Sequence, residues 1–432
     1  MDKNTSIEPQ AATLRAKLRQ SIGKIPMIGW LLGIACAVFV EYFFGAWLAY
    51  QLYLPKLPAL FGCTIALKHP SLLPAAVAYV FLVYLLPVFL VSRLAAGWTN
   101  RLAGMLERLP TWASALIHLA VLYAALHIWS DLSDYRLQVV KLTMIAVMLT
   151  LSINVINGYM GEFSCSHPGF MALGAYAAST ISLVFFTNDR LFGAALLPPS
   201  WGPYFFPLSL VVGGLVAAVG ALVVAIPSFR TRGDYLAIIS LAFMFIVKSV
   251  IENLEVIGGP RGMGSQPHWA TLPAVFIGMA ACIWVINNFV RSTMGKALNA
   301  VRDNETAADA MTVNTRRTKM IAFMFGAFWA GVAGGLYAHE LRYVNPGSFG
   351  IQMLAEILAM VYFGGLNSVV GSIVGAVSIQ MLSEALRPLE LFKWIIIPLL
   401  LILVMIYRPT GLIAFRDFDI KRIMRSKRRQ ID

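Results

Sequence analysis

IPMIGWLLGIACAVFVEYFFGAWLAY, residues 25–50, holds a single charge, Glu41, in an otherwise apolar run. A helix needs about 20 such residues to cross the hydrocarbon of a bilayer. The run is too long for the core of a signal peptide, and no small-x-small site closes it, so it reads as a retained first span. Working outward, similar runs recur at about 26–50, 72–92, 111–130, 138–157, 169–187, 205–226, 235–251, 269–290, 319–340, 353–368, 371–387 and 393–409. Apolar residues make up 59% of the chain and charged residues 13%, where a soluble domain carries about 25% charged residues. The alternation that a membrane β-barrel requires is absent, so the spans are helices. The expectation is an all-α, polytopic helical bundle of 10–12 spans. The tenth and eleventh segments are short and meet at Gly364, Gly365, Leu366, Asn367 and Ser368, which fits either two spans or one re-entrant hairpin.

Net charge is +13. The positive residues collect in a few loops and at both ends, the distribution of loops facing anionic lipid and not of a nucleic-acid surface. One set of loops holds Lys3 to Lys24, Arg93 to Arg108, Arg230 and Arg232, Arg291 to Lys319, and a tail from Arg408 to Arg429. The other set holds Lys56, Lys68, Arg136, Arg190, Arg261, Arg342, Arg387 and Lys393. A bias of roughly threefold places both termini in the cytoplasm. Cys36, Cys63, Cys165 and Cys282 form no C-x-x-C pair and suggest neither metal site nor disulfide framework. Three regions are expected: an added portion at 1–137, basic at its start with about three spans; a core at 138–415; and a basic cytoplasmic tail at 416–432.

The longest hydrophilic stretch within the core is RSTMGKALNAVRDNETAADAMTVNTRRT, residues 291–318. Met294, Ala297, Leu298, Val301, Ala308 and Met311 recur at helical spacing, while Lys296, Arg302, Asp303 and Asp309 point elsewhere. A surface element of this kind needs lipid, its own bundle or a partner protein to cover its apolar side. Gly158, Gly161, Gly169 and Gly174 fall where one span ends and the next begins, as helix breaks or close contacts. Ser164 and His167 among them read either as a helix cap and a satisfied buried histidine or as lining of a polar pathway. Arg230, Arg232 and Asp234 anchor the start of the seventh span. Glu41, Lys141, Lys248, Glu252 and Glu356 are scattered charges in or near spans; Lys248 and Glu252, four apart, can pair on one helical face. No G-x-x-x-x-G-K-[ST] phosphate cradle occurs, so ATP hydrolysis is not expected on this chain, and no hydrolase constellation or cofactor motif stands out.

Gly295 to Ala308 resembles the cytoplasmic coupling segment of branched-chain amino-acid ABC permeases of the LivM type. Four further blocks agree in order. Gly158 to Phe170, running on to Gly174, Ala175 and Tyr176, is similar to G-x-x-G-x-x-S-x-x-H-x-x-F…G-A-Y; Arg230 to Ile238 to R-x-R-G-x-Y-x-A-I; Gly258 to Gly262 to G-G-x-x-G; and Arg408 to Leu412 to R-P-x-G-L. Thr312 stands where the family usually has a glycine that permits a left-handed helix stop, and Ser166 and Pro168 replace small residues around His167. The resemblance implies an inner-membrane permease subunit of an ABC importer for amino acids or similar small polar solutes. It would pair with a second homologous permease, two ATPase subunits and an external solute-binding protein, within membrane lipid. Met294, Gly295, Ala297, Leu298, Val301, Arg302, Glu305 and Ala308 would form the coupling element. Residues near 158–176 and 353–375, among them Tyr176, Gly364, Gly365, Asn367 and Ser368, would line the path. The rival reading is an ion-coupled secondary transporter or channel, which works without an ATPase.

Overall fold

A computed structural model describes residues 25–54, 70–188, 192–229, 235–408 and 410–413, with positions 419 and 424. Arg230, Arg232, Asp234, Pro409, Cys63 and most of the two basic ends lie outside the described residues. Among the described residues, ten helices are long and apolar enough to cross a membrane. The chain divides into two compact units, residues 1–137 with 418–432, and residues 138–417.

In the first unit, α1 (Met27–Gln51), α2 (Leu73–Leu94), α3 (Ala96–Leu106) and α4 (Thr111–Asp131) pack together. Pro87 lacks a backbone donor and its ring crowds the preceding turn. The helix widens there into a π turn at Phe81–Leu85. Gly33 of α1 lies against the Val88 carbonyl of α2, close enough that a side chain would have to displace backbone. Glu41 does not stand alone, as its sequence context suggested. Its carboxylate takes Arg136 Nη2 at 2.7 Å on one oxygen and the Tyr84 hydroxyl at 2.6 Å on the other. Trp129 Nε1 donates to that hydroxyl at 3.2 Å, and the Arg136 guanidinium lies over the Trp129 ring.

The second unit begins within α5 (Asp134–Met160), whose last turn, Val155–Met160, is again π-helical. It continues through α6 (His167–Phe186), α7 (Gly202–Ser228), α8 (Tyr235–Asn253), α9 (Leu272–Arg291), α10 (Thr293–Asp303), α11 (Glu305–Ala310), α12 (Thr315–Leu341), α13 (Ile351–Gly364), α14 (Val369–Ala385) and α15 (Glu390–Tyr407). A two-residue ribbon pairs β1 (Met263–Gly264) with β2 (Tyr343–Val344) antiparallel. The core is the seam of α6, α7 and α12, where Gly174, Gly213 and Gly331 meet backbone to backbone. Small residues let helices approach this closely where no water drives them together. Gly174 therefore marks a helix crossing within a continuous α6, not a break. The Gly364-to-Ser368 connection is a tight turn between α13 and α14. Gly365 (φ 126°) and Asn367 (φ 54°) occupy the left-handed region there, and Gly364 packs on the Gly371 backbone. With 17 residues, α14 is about 26 Å long, short of the roughly 30 Å of a bilayer core.

Candidate functional site

The charged stretch after α9 folds as two helices and not one. Ser292 caps α10, its Oγ accepting from Gly295 N at 3.4 Å. Gly295 lies so close to the Val290 backbone that the chain turns sharply out of α9. Asn304 leaves helical geometry and its side chain caps α11 through the Ala307 N–H at 3.0 Å. The element stops at Thr312, which takes the left-handed conformation (φ 67°) that glycine favours. Asn314 then caps α12 through Arg317 N at 2.9 Å.

Leu298, Val301 and Ala308 are buried by the chain's own bundle, so three of the residues expected on a coupling face cannot meet a partner in this conformation. Gly295 is buried as well, and Met294 and Ala297 are partly so. The exposed surface of the element includes Ala300, Asp303, Glu305, Thr306, Ala307, Asp309, Ala310 and Met311. Glu305, half-exposed, already has a cation from its own chain. Lys319, buried near the start of α12, reaches Glu305 at 2.9 Å and Glu162 at 2.6 Å. Arg302 pairs with Asp303 at 2.8 Å and reaches the Gly158 carbonyl at 3.4 Å. The stem of Arg302 covers Gly161, whose φ of 78° and lack of a side chain admit it.

These contacts tie α10 and α11 to the end of α5, and the end of α5 is tied in turn to the α13–α14 turn. The Asn154 amide accepts from Asn367 N at 3.1 Å and donates to the Ser368 carbonyl at 3.1 Å and Ser372 Oγ at 2.6 Å. Ser368 caps α14 through Gly371 N at 3.1 Å. Leu412 N, at the end of the R-P-x-G-L block, and Ile413 N, just after it, bond the carbonyls of Phe363 and Gly364 at 3.1 and 2.9 Å. Four separate stretches of sequence thus converge on one end of the unit.

Between Gly161 and α6, Ser164 N bonds Asn157 Oδ1 at 3.3 Å, and the Ser164 and Ser166 hydroxyls lie 2.9 Å apart. Cys165 N bonds Ser240 Oγ at 2.9 Å, and burial pushes the Cys165 thiol up in pKa. His167 opens α6 fully buried, edge-on to Phe170. Gly169 faces Phe243 and Met244 of α8. Tyr176 is set apart from this group, its hydroxyl on the Val344 carbonyl at 3.4 Å. Lys248 and Glu252 stand 3.8 Å apart on α8. Among the described residues, no group of three metal-ligating side chains forms. Asn154 and Lys319 escaped the sequence reading: a lone amide inside an apolar run and a lysine at a span's edge carry no local signal of what they join.

Ten span-length apolar helices among the described residues, and a charged two-helix element bonded to the helix breaks of the second unit, define the class as a polytopic membrane protein of the permease kind. Residues 135–406 match the family described as branched-chain amino acid transport system / permease component, and the chain belongs to that family. It is 30% identical to the high-affinity branched-chain amino acid transport system permease protein LivM of Escherichia coli K12, over 66% of this chain and 71% of that protein. It is 25% identical to LivH of the same organism, over 62% of this chain and 90% of the relative. Against the autoinducer 2 import system permease protein LsrC of Enterobacter sp. strain 638, identity is 27% over 44% of this chain and 59% of the relative. No solved structure matches the chain. The protein is a multi-pass transport subunit of the cell inner membrane.

Proposed function

We propose that this chain is one half of the translocation path of an ABC importer for branched-chain amino acids or a related small polar solute, driven by separate ATPase subunits. In this reading, residues 138–415 are the permease core, 1–137 an added portion and 416–432 a cytoplasmic tail, with both termini in the cytoplasm. The partners are two ATPase subunits, a second homologous permease and an external solute-binding protein. Likeness to both LivM and LivH supports a paired permease, because the two relatives bear matching transport-system names.

The observation that carries the reading is the double pairing of Lys319 with Glu305 and Glu162. An ATPase pressing on the exposed surface between Ala300 and Met311 would move α10 and α11. Lys319 and Arg302 would pass that displacement to the broken end of α5 and, through Asn154, to the α13–α14 turn. The path-lining residues proposed are those of this junction: Gly158, Gly161, Ser164, His167, Gly365, Asn367 and Ser368. The test is reconstitution of the chain with its second permease and ATPase pair in liposomes, supplied with the solute-binding protein and radiolabelled leucine. ATP-dependent uptake is expected. Uptake driven by an ion gradient through this chain alone would overturn the reading in favour of a secondary transporter.

A further inference from the structure

We propose that Lys141 and Glu340 form the positioning pair through which α5 and α12, moving as one bar, carry displacement of the α10–α11 element to the β1–β2 end of the permease core. The proposal rests on the coupling role argued above.

The two helices run side by side in opposite directions. Gly326 of α12 lies against the Ser152 carbonyl and the Ile156 side chain of α5, so there the backbones nearly touch. At one end of the bar, Lys319 of α12 holds Glu162, just beyond α5, at 2.6 Å. At the other, Lys141 of α5 holds Glu340 of α12 at 2.6 Å, with side chains 2% and 4% exposed. Lys319 and Glu340 are about 32 Å apart along the axis of α12. The bar is therefore clasped at both of its ends by ion pairs of opposite sense.

Stability alone does not explain the Lys141–Glu340 pair. Removing two charges from water costs several kcal/mol per ion, and apolar residues of similar volume often serve a core as well or better. What an ion pair supplies in place of added stability is a fixed register between two helices. The pair is also wired to the outer loops. Lys141 Nζ donates to the Ala270 carbonyl at 3.3 Å, on the segment that follows β1. β1 pairs with β2, which starts directly after α12, and Arg342 Nε between them donates to the Gln266 carbonyl at 3.2 Å. A slide or tilt of α12 begun at Lys319 is thus delivered to the surface that the solute-binding protein would meet. Because coupling is reciprocal, docking at that surface would be sensed at α10 and α11 by the same route.

The test uses the assembled complex in liposomes, with radiolabelled leucine and the solute-binding protein. It compares wild type with Lys141→Met/Glu340→Met and with Lys141→Arg/Glu340→Asp. The Met pair should assemble in normal amounts and leave the unstimulated ATPase rate unchanged. Stimulation of that rate by leucine-loaded binding protein should fall about tenfold, the scale of a coupling free energy between sites. The Arg/Asp exchange should recover most of the stimulation. Three outcomes overturn the proposal: full stimulation with the Met pair, failure of the Met pair to assemble, or an assembled Arg/Asp exchange that stays unstimulated. A wild-type complex without ATP-dependent uptake overturns the underlying coupling reading as well, which separates the two failures.

Discussion

Glu305 and Lys319 meet at 2.9 Å, so the carboxylate at the start of α11 is held by its own chain. Half-exposed pairs of this kind contribute no more than about 1 kcal/mol. Glu305→Lys should therefore leave insertion and abundance intact. It places a second ammonium beside Lys319 and releases α11 from α12. Uptake and substrate-stimulated ATP hydrolysis of the assembled complex should fall together. Wild-type rates for this variant in a complex of normal composition would show that the 293–310 element does not couple.

Asn154 makes three buried hydrogen bonds across the helix breaks. Asn154→Leu keeps the volume and strands the Asn367 N–H, while the Ser368 carbonyl keeps its bonds from Ser372 N and Oγ. An unsatisfied buried group costs about 1–3 kcal/mol, so thermal unfolding in detergent should shift down clearly. Unfolding at the wild-type temperature would mean that water replaces the amide.

Much of this architecture was legible in the sequence, and the missing part has a physical reason. Spans are local: about 20 apolar residues announce themselves wherever they lie, and the first run, 25–50, folds as α1 over Met27–Gln51. Caps and turns are local too, which is why a stop after 311 could be expected. Pairing between distant charges is not local. Glu41 and Lys141 read as isolated because Arg136 and Glu340 are remote in sequence or sit at a span's end, and only the packing brings them within 2.7 and 2.6 Å. Side-chain facing within α10 and α11 was half legible. The periodicity identified an apolar side, but that it is the chain's own bundle that covers Leu298 and Val301 depends on where α12 and the end of α5 lie.

The Glu41–Arg136 pair gives a sharp stability test in the first unit. Breaking a buried pair by removing one partner costs about 3–5 kcal/mol, because the other charge is left uncompensated. Glu41→Leu should lower the amount of folded protein markedly. Glu41→Leu combined with Arg136→Met should recover much of it, measured by size-exclusion profile and thermal unfolding. A double variant no better than the single one would show that Tyr84 and Trp129, and not the charge, need Glu41.

Thr312 holds a backbone conformation that costs an L-residue roughly 1–2 kcal/mol, and its branched Cβ makes it a poor occupant. Thr312→Gly should raise the unfolding temperature slightly and leave uptake unchanged. A drop in stability would show that the threonine side chain contributes a contact that outweighs the strain.

The charge bias predicts the sidedness of the loops. Single cysteines at 258–264 should react with an impermeant thiol reagent added to intact cells. Those at 300–310 should react only after the membrane is opened. The buried Cys165 and Cys282 should stay silent in both cases. Labelling of 300–310 from outside inverts the whole arrangement.

The glycine seam of α6, α7 and α12 has a consequence for where a solute can go. Gly174, Gly213 and Gly331 bring main chain onto main chain, and a single methyl at Gly174 would already collide with Gly331. A contact that excludes a methyl excludes a leucine side chain. No lumen can open between these three helices without dismantling them. They therefore form a wall that shifts only as one block, α12 carrying α6 and α7 with it, and in the proposed reading the solute passes along the other flank, by the end of α5 and the α13–α14 turn.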